Sequence, residues 1–196
     1  MNPLAKSLNC DGRNGRALLL AGVALLLLGV PAAFMRAHFA YDRSALLHGE
    51  LWRWVTAHLV HLDVAHAALN VLGLALVWAL YFRAWSPREW LVVIVAGMLA
   101  IDAGLWWWQP QLQWYVGASG LLHGLLIAGV VGQWRNERGI AFVVGALFVA
   151  KLAWEWRNGA LPFAGESAHV VLPAHRYGAA GGAIASVVLT LRRKWL

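Results

Sequence analysis

Val116-Gly117-Ala118-Ser119-Gly120-Leu121-Leu122-His123-Gly124-Leu125-Leu126-Ile127-Ala128-Gly129-Val130-Val131-Gly132-Gln133 is an apolar run that carries a hydroxyl and an imidazole in its first half. Its length is close to the ~20 residues a helix needs to cross a bilayer. Five more runs surround it, at 17–35, 64–82, 90–108, 140–156 and 169–191. The six occupy more than half of the 196 residues and leave little chain for a soluble domain. Composition agrees: 61% of residues belong to the AVILMFWYC set and 13% are charged, where a soluble domain carries about 25% charged residues. Lipid admits only helices and closed barrels, and these runs lack the polar–apolar alternation of barrel strands. The predicted fold is therefore all-α, a polytopic membrane bundle of six transmembrane helices over 17-192. Segment 1-16 precedes it and a basic tail, 193-196, follows.

The net charge of +7 and the isoelectric point of about 10.3 would, in a soluble protein, raise nucleic acid as a partner. Charge placement gives a different answer. Lys6, Arg13, Arg16, Arg83, Arg88, Arg135, Arg138, Arg192, Arg193 and Lys194 fall on one side of the spans, and Arg36, Arg43, Arg53 and Arg157 on the other. Positively charged loops stay cytoplasmic, so both termini are expected there, with the lipid bilayer as partner and no nucleic acid. Trp106, Trp107, Trp108 and Trp114 then fall at the outer interface, where amphipathic rings prefer to sit. Run 17–35 has the flanks of a signal peptide, but its apolar length favours an uncleaved signal anchor. The single Cys10 excludes an intramolecular disulfide.

Polar side chains inside spans are expensive and mark function. His66 and Asn70, four apart, share one helix face. Ser119 and His123 lie early in the fourth span and His175 in the sixth. Counting to the cytoplasmic end gives 17 residues from His66 to Arg83, 15 from Ser119 to Trp134 and 17 from His175 to Arg192. At 1.5 Å per residue, all three clusters lie at one depth in the outer half of the bilayer. A hydroxyl, imidazoles and an amide at equal depth suit nucleophilic acyl transfer. Ser119 would attack and His175 would take its proton. Gly120-x-x-x-Gly124 and Gly178-x-x-x-Gly182, with Gly117 beside them, would let the two helices approach closely enough. Backbone N–H groups around Ser119, with His66 and Asn70, would hold the oxyanion.

Plainer readings stand beside these. A serine in a membrane helix commonly bonds its own i−4 carbonyl. GxxxG is commonly simple packing, and spanning His and Asn often serve as structural glue. Lys151 and Glu155, four apart, read as a structural ion pair. Asp63 and Asp102 have no evident partner and read as interfacial or structural. The segment from Met35 to Asp63 either lies in the outer interface and shapes access, or braces the bundle.

Together, Gly49-Glu50-Leu51-Trp52-Arg53-Trp54-Val55-Thr56, His61, His66-x-x-x-Asn70, Gly117-Ala118-Ser119-Gly120 and His175-x-x-Gly178-x-x-x-Gly182 resemble the intramembrane rhomboid serine proteases over about two thirds of the chain. The resemblance implies a rhomboid-like bundle and a catalytic dyad of Ser119 and His175, with His66 and Asn70 aiding the oxyanion hole. It implies neither metal nor other cofactor. Ser119-Gly120-Leu121-Leu122-His123-Gly124, Lys151-x-x-x-Glu155 and Ala174-His175-x-Tyr177-Gly178-Ala179 are similar to the rhombosortase branch. That branch implies a bacterial inner-membrane endopeptidase. Its partners would be membrane-anchored substrates ending in Gly-Gly, a transmembrane helix and a basic cluster. Glycine suits such a cut, because it lowers the cost of unwinding by about 1 kcal/mol per residue relative to Ala.

Two positions depart from the family. Many rhomboids place an aromatic residue four after the nucleophile, where this chain has His123, which leaves His123 open as an alternative base. Arg176 beside His175 would disfavour an imidazolium there. Other readings are a general rhomboid protease with different transmembrane substrates, an inactive relative that only binds helices, and a six-helix protein binding haem or metal through its eight His.

Overall fold

Helix-start chemistry and helix-breaking residues divide the chain. The computed structural model describes residues 9, 14–28, 32–160 and 171–193. Six long helices are found among them: α1 (Arg16–Leu28), α5 (Val64–Tyr81), α6 (Pro87–Trp108), α7 (Ser119–Gln133), α8 (Arg138–Asn158) and α9 (Leu172–Arg192). Three short helices, α2 (Ala32–Phe39), α3 (Arg43–Leu47) and α4 (Arg53–Thr56), lie between α1 and α5. A two-residue strand β1 (Tyr41–Asp42) pairs antiparallel with β2 (Trp114–Tyr115), Tyr41 opposite Tyr115.

Asp63 caps α5 by accepting from the His66 N–H at 2.7 Å. α6 opens on a capping box of Ser86 and Glu89 with Pro87 in its first turn. The other end of α6 is closed by a side chain far away in sequence: the Arg43 guanidinium donates to the carbonyls of Leu105, Trp106, Gln109 and Leu112. The first three are carbonyls the helix C-terminus leaves unpaired, and Leu112 lies in the turn that follows.

Three sequence boundaries are corrected. The expected span 17–35 is two helices, α1 and α2, and the helix-breaking types Gly29 and Pro31 fall between them in the sequence. The run 116–133 becomes helical only at Ser119. Trp114 and Tyr115 pair with β1, and Gly117 takes φ 120 while its N–H bonds the Ala57 carbonyl at 2.9 Å. Within the run 169–191, α9 is described from Leu172, and residues 169–170 lie outside the described residues. Lys6, Cys10, Arg13 and Lys194 also lie outside them.

α5, α6 and α8 are long and apolar enough to cross a membrane. Leu69, Leu72, Leu99, Phe142, Leu147 and Ile184 turn outward, the arrangement of a helical membrane bundle. α7 has 15 residues, about 22 Å at 1.5 Å per residue, less than the ~30 Å hydrocarbon thickness. At least one of its ends therefore stops short of that thickness.

α7 is the central helix, flanked by α5, α6 and α9, with the core around Tyr81, Val93, Ile101, Leu105 and Tyr115. Glycines set its distance from α9. A Cβ on Gly120 would lie 2.8 Å from the Ala174 carbonyl oxygen, and one on Gly124 would lie 2.6 Å from that of Gly178. Cβ atoms on Gly178 and Gly182 would collide with the Gly120 and Gly124 backbones in return.

The segment leading to α5 is pinned by arginines. Arg53 donates to the carbonyls of Ala40 and Ala37, each at 2.8 Å, and to Glu50 at 2.8 Å. Arg36 donates to the Leu62 carbonyl at 2.8 Å. The buried Arg53 guanidinium satisfies two backbone acceptors at once, which braces the segment against the bundle.

Candidate active site

Close packing of α7 on α9 brings Ser119, the first residue of α7, to His175, in the first turn of α9. Ser119 Oγ lies 3.0 Å from His175 Nε2, within hydrogen-bond reach for a nucleophile and its base. Because Ser119 opens the helix, backbone N–H groups of this first turn have no intrahelical acceptor.

His66 faces this turn from α5, with Asn70 one helix turn further along. The His66 ring lies over Gly117, where a Cβ would be 2.7 Å from its Cε1. One turn beyond Asn70, a Cβ on Gly73 would lie 3.1 Å from Leu122 Cδ1 of α7, so Asn70 falls between two places where α5 approaches α7. His66 Nδ1 accepts from the Leu62 N–H at 3.4 Å, which leaves the proton on Nε2. Asn70 is 3% exposed, and its Nδ2 has no hydrogen-bond partner among the described residues. A buried amide donor without a partner is costly, and such donors occur where a ligand or developing charge will use them.

One residue assigned by sequence only to an ion pair stands inside the site. Lys151 Nζ and Glu155 Oε1 are 2.7 Å apart, and the Glu155 carboxylate also meets His175 Nδ1 at 3.0 and 3.2 Å. The sequence reading left that imidazole without a carboxylate. The missed signal was available, because Arg138 to Glu155 is 17 residues, the same depth count as for His66 and His175.

His123 stacks on His175, ring centroids 4.0 Å apart and planes 9° from parallel, and does not reach the Ser119 hydroxyl. Its Nδ1 lies 2.6 Å from the Ser119 carbonyl and its Nε2 meets Lys151 Nζ. It fills the flat-ring position four residues after the serine. Arg176 turns away from His175 and stacks its guanidinium 4.2 Å over the Trp156 ring.

His123, Glu155 and His175 place potential metal-ligand atoms within 4.8 Å of one another. The Lys151 ammonium already bonds both His123 Nε2 and Glu155 Oε1, so a cation of the protein's own stands among those donors. The donor set suits a hydrogen-bonded cluster better than a metal centre.

Asp102 has a partner the sequence did not suggest: its Oδ1 lies 3.2 Å from His58 Nε2, both residues buried. The His58 ring meets Tyr115 edge-on at 5.7 Å, and the Tyr115 hydroxyl donates to the Gly117 carbonyl at 2.6 Å. Burial pushes the Tyr115 phenol up, so it remains a donor. This buried set fixes the turn that delivers Ser119. Nearby, burial above all pushes His61 down to about 4, and its ring meets the His66 ring edge-on at 5.2 Å.

Residues 48–192 match the family described as Rhomboid domain, which covers most of the chain. The chain is also 26% identical over 106 residues to the Rhomboid protease GluP of Bacillus subtilis (strain 168). That stretch is 54% of this chain and 20% of the relative, so the match spans about a fifth of the relative's length. With a helical bundle whose serine and histidine meet on adjoining helices, and a family match running from Gly49 past Gly182, the chain belongs to the rhomboid family.

Proposed function

We propose that the protein is an intramembrane serine endopeptidase, and the observation that carries this reading is the 3.0 Å approach of Ser119 Oγ to His175 Nε2. His175 Nε2 takes the hydroxyl proton as Ser119 Oγ attacks the scissile carbonyl. The tetrahedral oxyanion accepts from the backbone N–H groups at the start of α7, from Asn70 Nδ2 and from His66 Nε2. One such donor is worth about 3–4 kcal/mol of barrier. Collapse breaks the C–N bond, and His175 returns its proton to the leaving amine. Water, deprotonated by the same imidazole, then hydrolyses the acyl-enzyme. The activity in the relative's name, Rhomboid protease, agrees with this chemistry.

The substrate class we propose is an exported protein whose C-terminus holds Gly-Gly, a transmembrane helix and a basic cluster. The sequence blocks around Ser119, Lys151 and His175 that resemble rhombosortases support it. The enzyme sits in the bacterial inner membrane with both termini cytoplasmic, supported by ten basic residues against four on the two sides of the spans. The catalytic bundle is 17-192.

A fluorophosphonate should label the wild type and leave Ser119→Ala unlabelled. Co-expression with a tagged Gly-Gly, helix and basic-tail substrate should give a cleaved product that His175→Ala does not make. Equal labelling of Ser119→Ala rejects the nucleophile. Cleavage of transmembrane substrates lacking Gly-Gly at the same rate would make this a general rhomboid protease.

A further inference from the structure

The polar contacts around Ser119 close into a ring, and their directions can all be assigned. The Ser119 carbonyl can only accept, so His123 Nδ1 carries a proton and donates to it at 2.6 Å. His123 Nε2 is then a lone pair and takes a hydrogen from Lys151 Nζ. Lys151 has no lone pair as an ammonium and donates again, to Glu155 Oε1 at 2.7 Å. The Glu155 carboxylate accepts a second time, from His175 Nδ1–H at 3.0 Å. With that proton on Nδ1, His175 Nε2 is the acceptor and Ser119 Oγ the donor. The circuit starts on the backbone of Ser119 and ends on its side chain with no donor facing a donor.

The burial pattern shows that this arrangement does more than neutralise charge. An ion pair on the lipid-facing side of α8 would serve for neutralisation, yet the Glu155 side chain is 5% exposed, the carboxylate turned into the bundle against a helix it otherwise barely touches. Burying a carboxylate is expensive unless it is paired and fully bonded, and Lys151 together with His175 meets that requirement.

Building on the Ser119 and His175 reading, we propose that Glu155 is the positioning residue of a Ser–His–Glu triad, held in place by Lys151. Glu155 fixes the productive tautomer and ring direction of His175 and stabilises the imidazolium that forms during attack. Lys151 ties that carboxylate to His123, whose ring is the platform under His175. Neither residue touches the substrate.

The test uses the full-length protein in detergent and a fluorophosphonate at several concentrations, which separates the limiting rate of labelling from the half-saturating concentration. Glu155→Gln keeps size and an acceptor but can turn an N–H toward Nδ1. Its limiting rate should fall about 100-fold or more, with half-saturation and thermal midpoint little changed. Glu155→Asp should recover at least tenfold over Glu155→Gln. Lys151→Met should lose about tenfold, and Lys151→Met combined with Glu155→Gln should be no worse than Glu155→Gln alone, because the two act as one unit. A wild-type limiting rate in Glu155→Gln, with Ser119→Ala unlabelled, overturns this proposal and leaves the nucleophile intact. Labelling of Ser119→Ala overturns the underlying reading instead. If Glu155→Gln does not fold, Lys151→Met decides, and an unchanged limiting rate there rejects the circuit.

Discussion

α8 and α9 have the same length, 21 residues each, and hold their site residues by opposite means. α9 buries His175 among Ala174, Gly178, Ala179, Gly181, Gly182, Ala185, Ser186 and Leu189, an inner face of mostly small residues packed almost backbone to backbone on α7. α8 buries only Ala141, Phe148 and Glu155, and exposes Phe142, Leu147, Val149, Trp154 and Trp156 to the surroundings. The Ser119 to His175 distance is therefore a steric quantity, fixed by what glycine lacks. The His175 to Glu155 distance is an electrostatic one, fixed by Lys151 and the ring nitrogens on a helix with little other hold. Lipid offers no hydrophobic gain for pressing helices together, so close backbone contact and polar pairing are the two forces available, and this molecule uses one on each helix.

That contrast can be broken most sharply at Gly182. Gly182→Ala places a methyl into the backbone of Gly124, which cannot rotate away. Overpacking of this kind costs about 1–3 kcal/mol where the neighbours can shift. Here it should push α7 and α9 apart, lower the thermal midpoint and reduce fluorophosphonate labelling at least 100-fold. Near-normal labelling would mean the seam does not set the site.

A middle effect is expected where Trp156 of α8 meets Arg176 of α9. Trp156→Ala removes the ring under Arg176, a cation–π contact worth about 0.5–1 kcal/mol at an exposed position. The labelling rate should fall by about two- to fivefold. A loss as large as that of Gly182→Ala would show α8 to be held as rigidly as α9.

The smallest effect should come from the same chemical change made on α8. Gly145→Ala meets only the Val130 Cγ1, at 3.2 Å, a side-chain atom that can give way. Labelling and thermal midpoint should stay within twofold and a few degrees of wild type. Comparing the two Gly→Ala variants side by side tests the contrast directly.

Much of this was legible beforehand, for identifiable reasons. Apolar run length and charge sparsity indicated a helical membrane bundle, because lipid leaves the backbone no alternative. Depth counting put His66, Ser119 and His175 at one level, since helical rise is constant. What stayed hidden depended on partners distant in the chain. Arg43 closes the far end of α6, His58 pairs with Asp102, and β1 with β2 delays the start of α7 to Ser119. Each joins segments tens of residues apart, and no local pattern announces them. Glu155 was hidden differently: its i, i+4 lysine offered a sufficient local explanation, so a second partner was not sought.

The residues alone, then, determined that the chain is a helical membrane protein, which polar groups are costly there, and where small residues permit close approach. Those follow from solvation and steric size, which each residue carries with it. Only the tertiary structure decided that His123 lies flat beneath His175 and that Glu155 turns inward to it. Helix rotation and crossing select which of several polar partners come within bonding distance, and they are settled by the packing of the whole bundle at once.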